Sequence, residues 1–240
     1  MSGHDTVATA SPAEPWATPA QGSATRRRRR TARIWSLFIV LDVAAALVLQ
    51  FALNLSGSPI PGNTIAPSGI GTRLVQTLSF FTIQSNLLVL VVAFTLVVDP
   101  LRDGRFWRIL RLDALLGITI TGLVFDLVLI HYVHPTGWQL VATIGLHYIA
   151  PWATLPGWLL FGPWPRVDRR TVARAMLWPA AWIAYTFVHG AVTHWYPYPF
   201  LDVDEVGAAS AALATFGVLA LAGVLLAVFA AIDRARARRG

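Results

Sequence analysis

Four ionisable side chains lie inside long apolar runs of this sequence: Asp42, Asp126, His147 and His189. Such groups are costly in an apolar surrounding unless they pair, face the interior of a bundle or touch water. Carboxylates and imidazoles so placed suit proton relay or general acid–base work. Neutral polar residues join them at helical spacing. Ser79, Thr82 and Asn86 follow i, i+3, i+7, and Thr143, His147, Pro151 and Thr154 nearly do. Thr119, Gly122 and Asp126 share another face, as do Trp182, Tyr185 and His189. At about 1.5 Å per helical residue from the expected outer ends, Thr82, His147 and Tyr185 all fall roughly 14 Å deep. Asp126 and His189 fall roughly 8 to 9 Å deep, and Asp42 with Asn86 about 20 Å. Ser79 and Thr119 equally fit plain interhelical hydrogen bonding, and Asp42 with Asn86 a structural pair. His131, His134 and His194 fall at or beyond the ends of the runs, where solvated loops are expected. Cysteine is absent, which excludes thiolate chemistry and disulfides. No metal and no cofactor is expected.

The elements that must hold these groups are membrane helices. The chain of 240 residues is 55% hydrophobic and 13% charged, with a mean hydropathy of +0.58, which is too apolar for a soluble domain of this size. An apolar core about 30 Å thick needs roughly 20 helical residues, and six stretches qualify. They are Ile34–Leu55, Arg73–Val98, Trp107–Tyr132, Trp138–Phe161, Val172–His194 and Val206–Ile232. Gly- and Pro-rich breaks separate them, among them Ser56–Gly62, Asp99–Gly104 and Tyr196–Pro199. The expected fold is therefore all-α: a polytopic six-transmembrane-helix bundle over 34–232. A disordered Arg-rich tail is expected at 1–33 and a short basic tail at 233–240. The apolar run from Ile34 is too long for a typical signal sequence and holds Asp42, so its retention as an anchor is expected.

All 19 basic residues are arginine, and the net charge is +7. They do not form a nucleic-acid-binding patch, because they fall in short clusters between the apolar runs. Basic residues near span ends stay in the cytoplasm. Every cluster lies at the same end of an alternating six-span chain, and Arg73 alone lies at the other end. Asp202, Asp204 and Glu205 sit in the fifth connection, on the outer side. Both termini are expected in the cytoplasm, in a multi-pass protein of the cell membrane with lipids as its surroundings and no nucleic-acid partner.

Three segments stand out: Phe80-Phe-Thr-Ile-Gln-Ser-Asn-Leu-Leu-Val89, Leu146-His-Tyr-Ile-Ala-Pro151 and Trp195-Tyr-Pro-Tyr-Pro-Phe-Leu-Asp202. Together they resemble the bacterial six-helix Pr-six-Pr membrane family, and more distantly the eukaryotic androgen-induced (AIG-like, FAR-17a-like) membrane hydrolases. The resemblance implies a threonine nucleophile and a histidine that cleave fatty-acid esters within the membrane. Carried over, Thr82 is the nucleophile and His147 its base, with Asp126 or Tyr185 orienting or assisting. Such a hydroxyl needs a nearby base to become nucleophilic. Asp42, Asn86, Ser79 and His189 then belong to a polar cavity or to structure.

Two other classes compete with a lipid ester hydrolase. A small transporter or proton-linked carrier would use Asp126, His147 and His189 as a relay, and with six spans would need a homodimer. A haem protein needs paired histidines at matching depth, which His147 and His189 do not offer. A non-catalytic membrane role is the plainest alternative.

Overall fold

The structure is a computed structural model and describes residues 19–58, 69–162, 164 and 166–238. Among these residues there is no strand. Ten helices follow one another: α1 Pro19–Leu55, α2 Ile70–Ser79, α3 Phe81–Val98, α4 Arg105–Leu127, α5 Gly137–Ile144, α6 Ala150–Phe161, α7 Arg169–Ala175, α8 Leu177–Thr193, α9 Val203–Val206 and α10 Ala208–Ala237. Four helical stretches are long and apolar enough to cross a membrane: Thr25–Leu55, Phe81–Val98, Arg105–His131 and Ala208–Ala237. This is the architecture of an α-helical membrane protein. The other two expected stretches form interrupted helical columns. One runs through α5, a π-helical segment Gly145–Ile149 and α6, and the other through α7 and α8, which meet at Met176.

The expected disordered tail differs in part. Residues 1–18 lie outside the described residues, but α1 begins at Pro19, well before Ile34. Arg and Ala, which fill that stretch, are strong helix formers, and a long apolar helix already provides the nucleus. At the other end α10 continues to Ala237, past the Ile232 expected, because Asp233 is anchored inside the fold.

Helix α1 packs on α3, α5 and α6, while α4 lies between α3, α6 and α7. One core cluster centres on Val43, Val89, Ile118 and Leu146, and a second on Phe81, Leu116, Trp158, Trp182 and Phe229. Helix α10 leans on α4 and the turn before α9, with only 22% of its apolar window buried. Leu213, Phe216 and Val224 on α10 point outward, as a lipid-facing surface requires.

Arginines gather at one end of the bundle and cap helix carbonyls there. Arg33 donates to Val98 O at 3.1 Å and Arg28 to Leu160 O at 3.2 Å, each placing a cation at a helix C-terminus, where the dipole favours it. Arg166 pairs with Asp103 at 2.9 Å. Arg73, at the opposite end, does the same for α1 by donating to Leu55 O at 3.0 Å.

Candidate active site

The column formed by α2 and α3 breaks at Phe80, whose φ of −67° and ψ of 127° are extended rather than helical. A break frees carbonyls above it and N–H groups below it, and all of these need partners inside an apolar bundle. Trp182 Nε1 donates to Ser79 O at 2.9 Å, and Gln84 Nε2 to Leu78 O at 3.0 Å. Below the break Thr82, second residue of α3, donates its N–H to the Tyr198 hydroxyl at 3.1 Å. Phe80 itself is held edge-on between Trp195 and Tyr198. The Thr82 side chain is thereby fixed at the N-terminal end of a helix that starts in mid-bundle.

A second break faces the first. Ala150 N–H donates to Gly145 O, five residues back, in the π-helical segment. The corresponding partner for Leu146 O would be residue 151, which is proline and has no N–H. Asn86 supplies the missing donor: its Nδ2 reaches Leu146 O at 3.3 Å and Thr82 O at 2.9 Å. Asn86 is fully buried. These bonds replace the expected pairing of Asn86 with Asp42, which instead lies beside Gly145 with its Oδ2 unpartnered. The π turn with Pro151 presents a backbone carbonyl to Asn86 within hydrogen-bond reach.

The two breaks bring Thr82 and His147 together. Thr82 Oγ1 lies 3.3 Å from His147 Nε2 and 3.2 Å from the Tyr198 hydroxyl. His147 Nδ1 lies 3.3 Å from Thr143 O. A carbonyl can only accept, so Nδ1 carries the proton and the neutral ring leaves Nε2 free to accept from Thr82 Oγ1. The chain of donors is then directed: Tyr198 O–H to Thr82 Oγ1, Thr82 Oγ1–H to His147 Nε2, and His147 Nδ1–H to Thr143 O. Phe125 lies against the imidazole with ring centroids 4.2 Å apart.

Two grooves meet at this cluster. One, with space of about 610 Å³, is almost wholly apolar and lies among Phe81, Ile120, Val124, Trp182, Val218 and Ala222. The other, of about 630 Å³, contains His147, Gln50, Asn54 and Thr143 on its polar wall. Thr82, Tyr198 and Leu129 line both. Gln50, Asn54 and Thr77 are bonded in series, Gln50 Nε2 to Asn54 Oδ1 at 2.9 Å and Asn54 Nδ2 to Thr77 Oγ1 at 3.0 Å.

The remaining sequence candidates lie elsewhere. Tyr185 bonds Ser79 Oγ at 2.6 Å. Asp126 faces the Tyr148 hydroxyl. His189 lies tilted against the Tyr185 ring, with centroids 5.5 Å apart, and contacts Thr193. None of Asp126, Tyr185 and His189 lines either groove. Among the described residues no group of three or more His, Asp or Glu side chains could hold a metal ion. Tyr198 is the participant that is absent from the site residues expected from the sequence. The signal available was its position inside the distinctive Trp195–Asp202 segment, where two prolines fix the backbone around it. No protein-family model, no curated protein and no solved structure matches this chain.

Proposed function

We propose that the chain is a six-span membrane protein with both termini in the cytoplasm that hydrolyses an apolar ester inside the membrane. The topology follows the gathering of arginines at one end of the bundle, with the two interrupted columns crossing alongside the four continuous helices. The catalytic reading rests on one observation: Thr82 Oγ1 sits 3.3 Å from a His147 Nε2 whose tautomer leaves it an acceptor. Resemblance to the Pr-six-Pr and AIG-like families points the same way.

In this mechanism Thr82 Oγ1 attacks the ester carbonyl while its proton passes to His147 Nε2. The developing oxyanion lies near the Thr82 N–H, at the positive end of the α3 dipole, and near the Tyr198 hydroxyl, which turns from Thr82 to donate to it. The Nε2 proton then goes to the departing alkoxide, leaving an acyl-threonine and an alcohol. In the second half water attacks the acyl carbon as His147 Nε2 takes its proton. The acyl–oxygen bond to Thr82 then breaks with that proton returning to Thr82 Oγ1, and a carboxylic acid departs and ionises in water. The apolar groove suits the acyl arm and the groove with the Gln50–Asn54 wall suits the alcohol.

The test is covalent labelling of the purified protein by a lipophilic fluorophosphonate, read by peptide mapping, together with ester turnover. Thr82→Val keeps the branched shape and should abolish both; Thr82→Ser should retain part of both; His147→Gln should abolish turnover. A hydrolytic activity that survives Thr82→Val and His147→Gln would mean that other residues carry it.

A further inference from the structure

The opposite end of α3 borders a second set of converging groups, about 24 Å from Thr82 at the rise of a helix. Arg102, Arg108, Arg111 and Arg166 line one recess of about 350 Å³ with Trp107 and Trp158. The charge in this recess is unbalanced. Asp103 accepts from Arg108 through both oxygens at 2.8 Å and from Arg166 at 2.9 Å, so a single carboxylate serves two arginines. Those hydrogen bonds, Arg108's first, hold the Asp103 carboxyl far below the usual carboxylate range, so it stays ionised and fully engaged. Asp233 turns its Oδ2 to the backbone N–H groups of Arg166 and Val167 and does not line the recess. Among the described residues Arg111 donates only to Gly162 O, and Arg102 lies over the Trp107 ring at 5.3 Å. Among the described residues no carboxylate is within ion-pair reach of Arg102 or Arg111.

Unpartnered buried donors add to this. Trp107 is 6% exposed, and among the described residues neither its indole Nε1 nor the buried Arg166 Nε has an acceptor. Buried N–H groups and unpaired guanidinium groups call for an anionic acceptor. The recess also adjoins an apolar groove of about 600 Å³ between α1, α3, α4 and α6, for Arg111, Leu115 and Trp158 line both. Ile39, Val89 and Val92 form the groove wall.

A cationic, donor-rich mouth on an apolar groove at one end of a membrane bundle matches an amphiphile better than a free ion. We propose that this end of the protein binds one anionic phospholipid, its phosphate on Arg102 and Arg111 with the Trp107 indole, and one acyl chain along the groove. The Thr82 cluster plays no part, so the lipid site holds whether or not Thr82 is a nucleophile.

The full chain would be purified in neutral detergent, and lipid retention measured by native mass spectrometry and thermal unfolding with phosphatidylglycerol, phosphatidylcholine or inorganic phosphate. One phosphatidylglycerol should be retained and should raise the unfolding temperature, whereas phosphatidylcholine and millimolar phosphate should not. Arg111→Gln should weaken phosphatidylglycerol binding about tenfold, as loss of one charge-assisted hydrogen bond implies. Arg102→Gln changes an exposed side chain and cannot unfold the bundle, and should weaken binding in the same direction. Equal retention of both lipids, equal protection by inorganic phosphate, or unaltered binding in Arg102→Gln would each overturn the proposal.

Discussion

Replacing Tyr198 by Phe separates the chemistry of the hydroxyl from the packing of the ring. The ring touches Phe80, Phe200 and Trp182, with centroids 5.5, 5.5 and 6.0 Å away, and all three contacts survive the change. What disappears is the hydroxyl that accepts from Thr82 N–H at 3.1 Å and bonds Thr82 Oγ1 at 3.2 Å. Hydrogen bonds between membrane helices average about 0.6 kcal/mol each, so the two together cost about 1 kcal/mol and the bundle stays folded. The effect on catalysis is far larger if the hydroxyl meets the oxyanion. Losing one such donor lowers turnover by about 100- to 1,000-fold. The assay is hydrolysis of a chromogenic medium-chain ester in detergent, with kcat and KM determined separately. A drop in kcat at little-changed KM is expected, because the bond is made only as charge develops. Turnover within about threefold of the unaltered protein, well short of the loss expected for an oxyanion donor, would refute the assignment. So would a gain, which would mean that Tyr198 only shields the threonine.

Two further changes test the scaffold. A methyl group at Gly190 would fall inside the Tyr196 ring, so Gly190→Ala should displace the Trp195–Asp202 segment and destabilise the fold by about 1–3 kcal/mol. Turnover should fall with it, while Gly223→Ala, inside α10 with nothing within 4 Å, should lower neither. Asp233→Ala leaves two backbone N–H groups, Arg166 and Val167, without their acceptor. At about 1–3 kcal/mol for each such buried group, the unfolding temperature should fall clearly, and Asp233→Asn, which still accepts, should fall less.

The parts of this molecule that follow from local pattern were readable in the sequence. Apolar length marked the helices, and the arginine clusters foretold a basic end, where Arg28 and Arg33 now cap helix carbonyls. Equal depth brought Thr82 and His147 to one level, because depth depends only on helical rise. Facing could not be read in the same way. Tyr185 shares that depth yet bonds Ser79, since rotation about each helix axis is set by tertiary packing. Asn86 was paired with Asp42 on depth alone, and the π turn overrode it by leaving Leu146 O in need of a donor. Gln50 and Asn54, neutral and near the end of α1, carried no signal because a polar residue at a span end is ordinary.

The site is made by two interruptions in otherwise regular helices, and neither would suffice alone. The break at Phe80 leaves the Thr82 N–H without a helical partner and places its hydroxyl at a helix N-terminus. The π turn at Gly145–Ile149 carries His147 in its centre. Each break leaves backbone groups unsatisfied, and each draws a partner from outside its own column: Tyr198 for Thr82 N–H at the first, Asn86 for Leu146 O at the second. Asn86 also bonds Thr82 O, so the repair of the histidine's column grips the threonine's column. Thr82 and His147 are held in register by the same bonds that make the breaks tolerable in an apolar interior. Regular helices would have satisfied their own backbones and left nothing to tie the two side chains together.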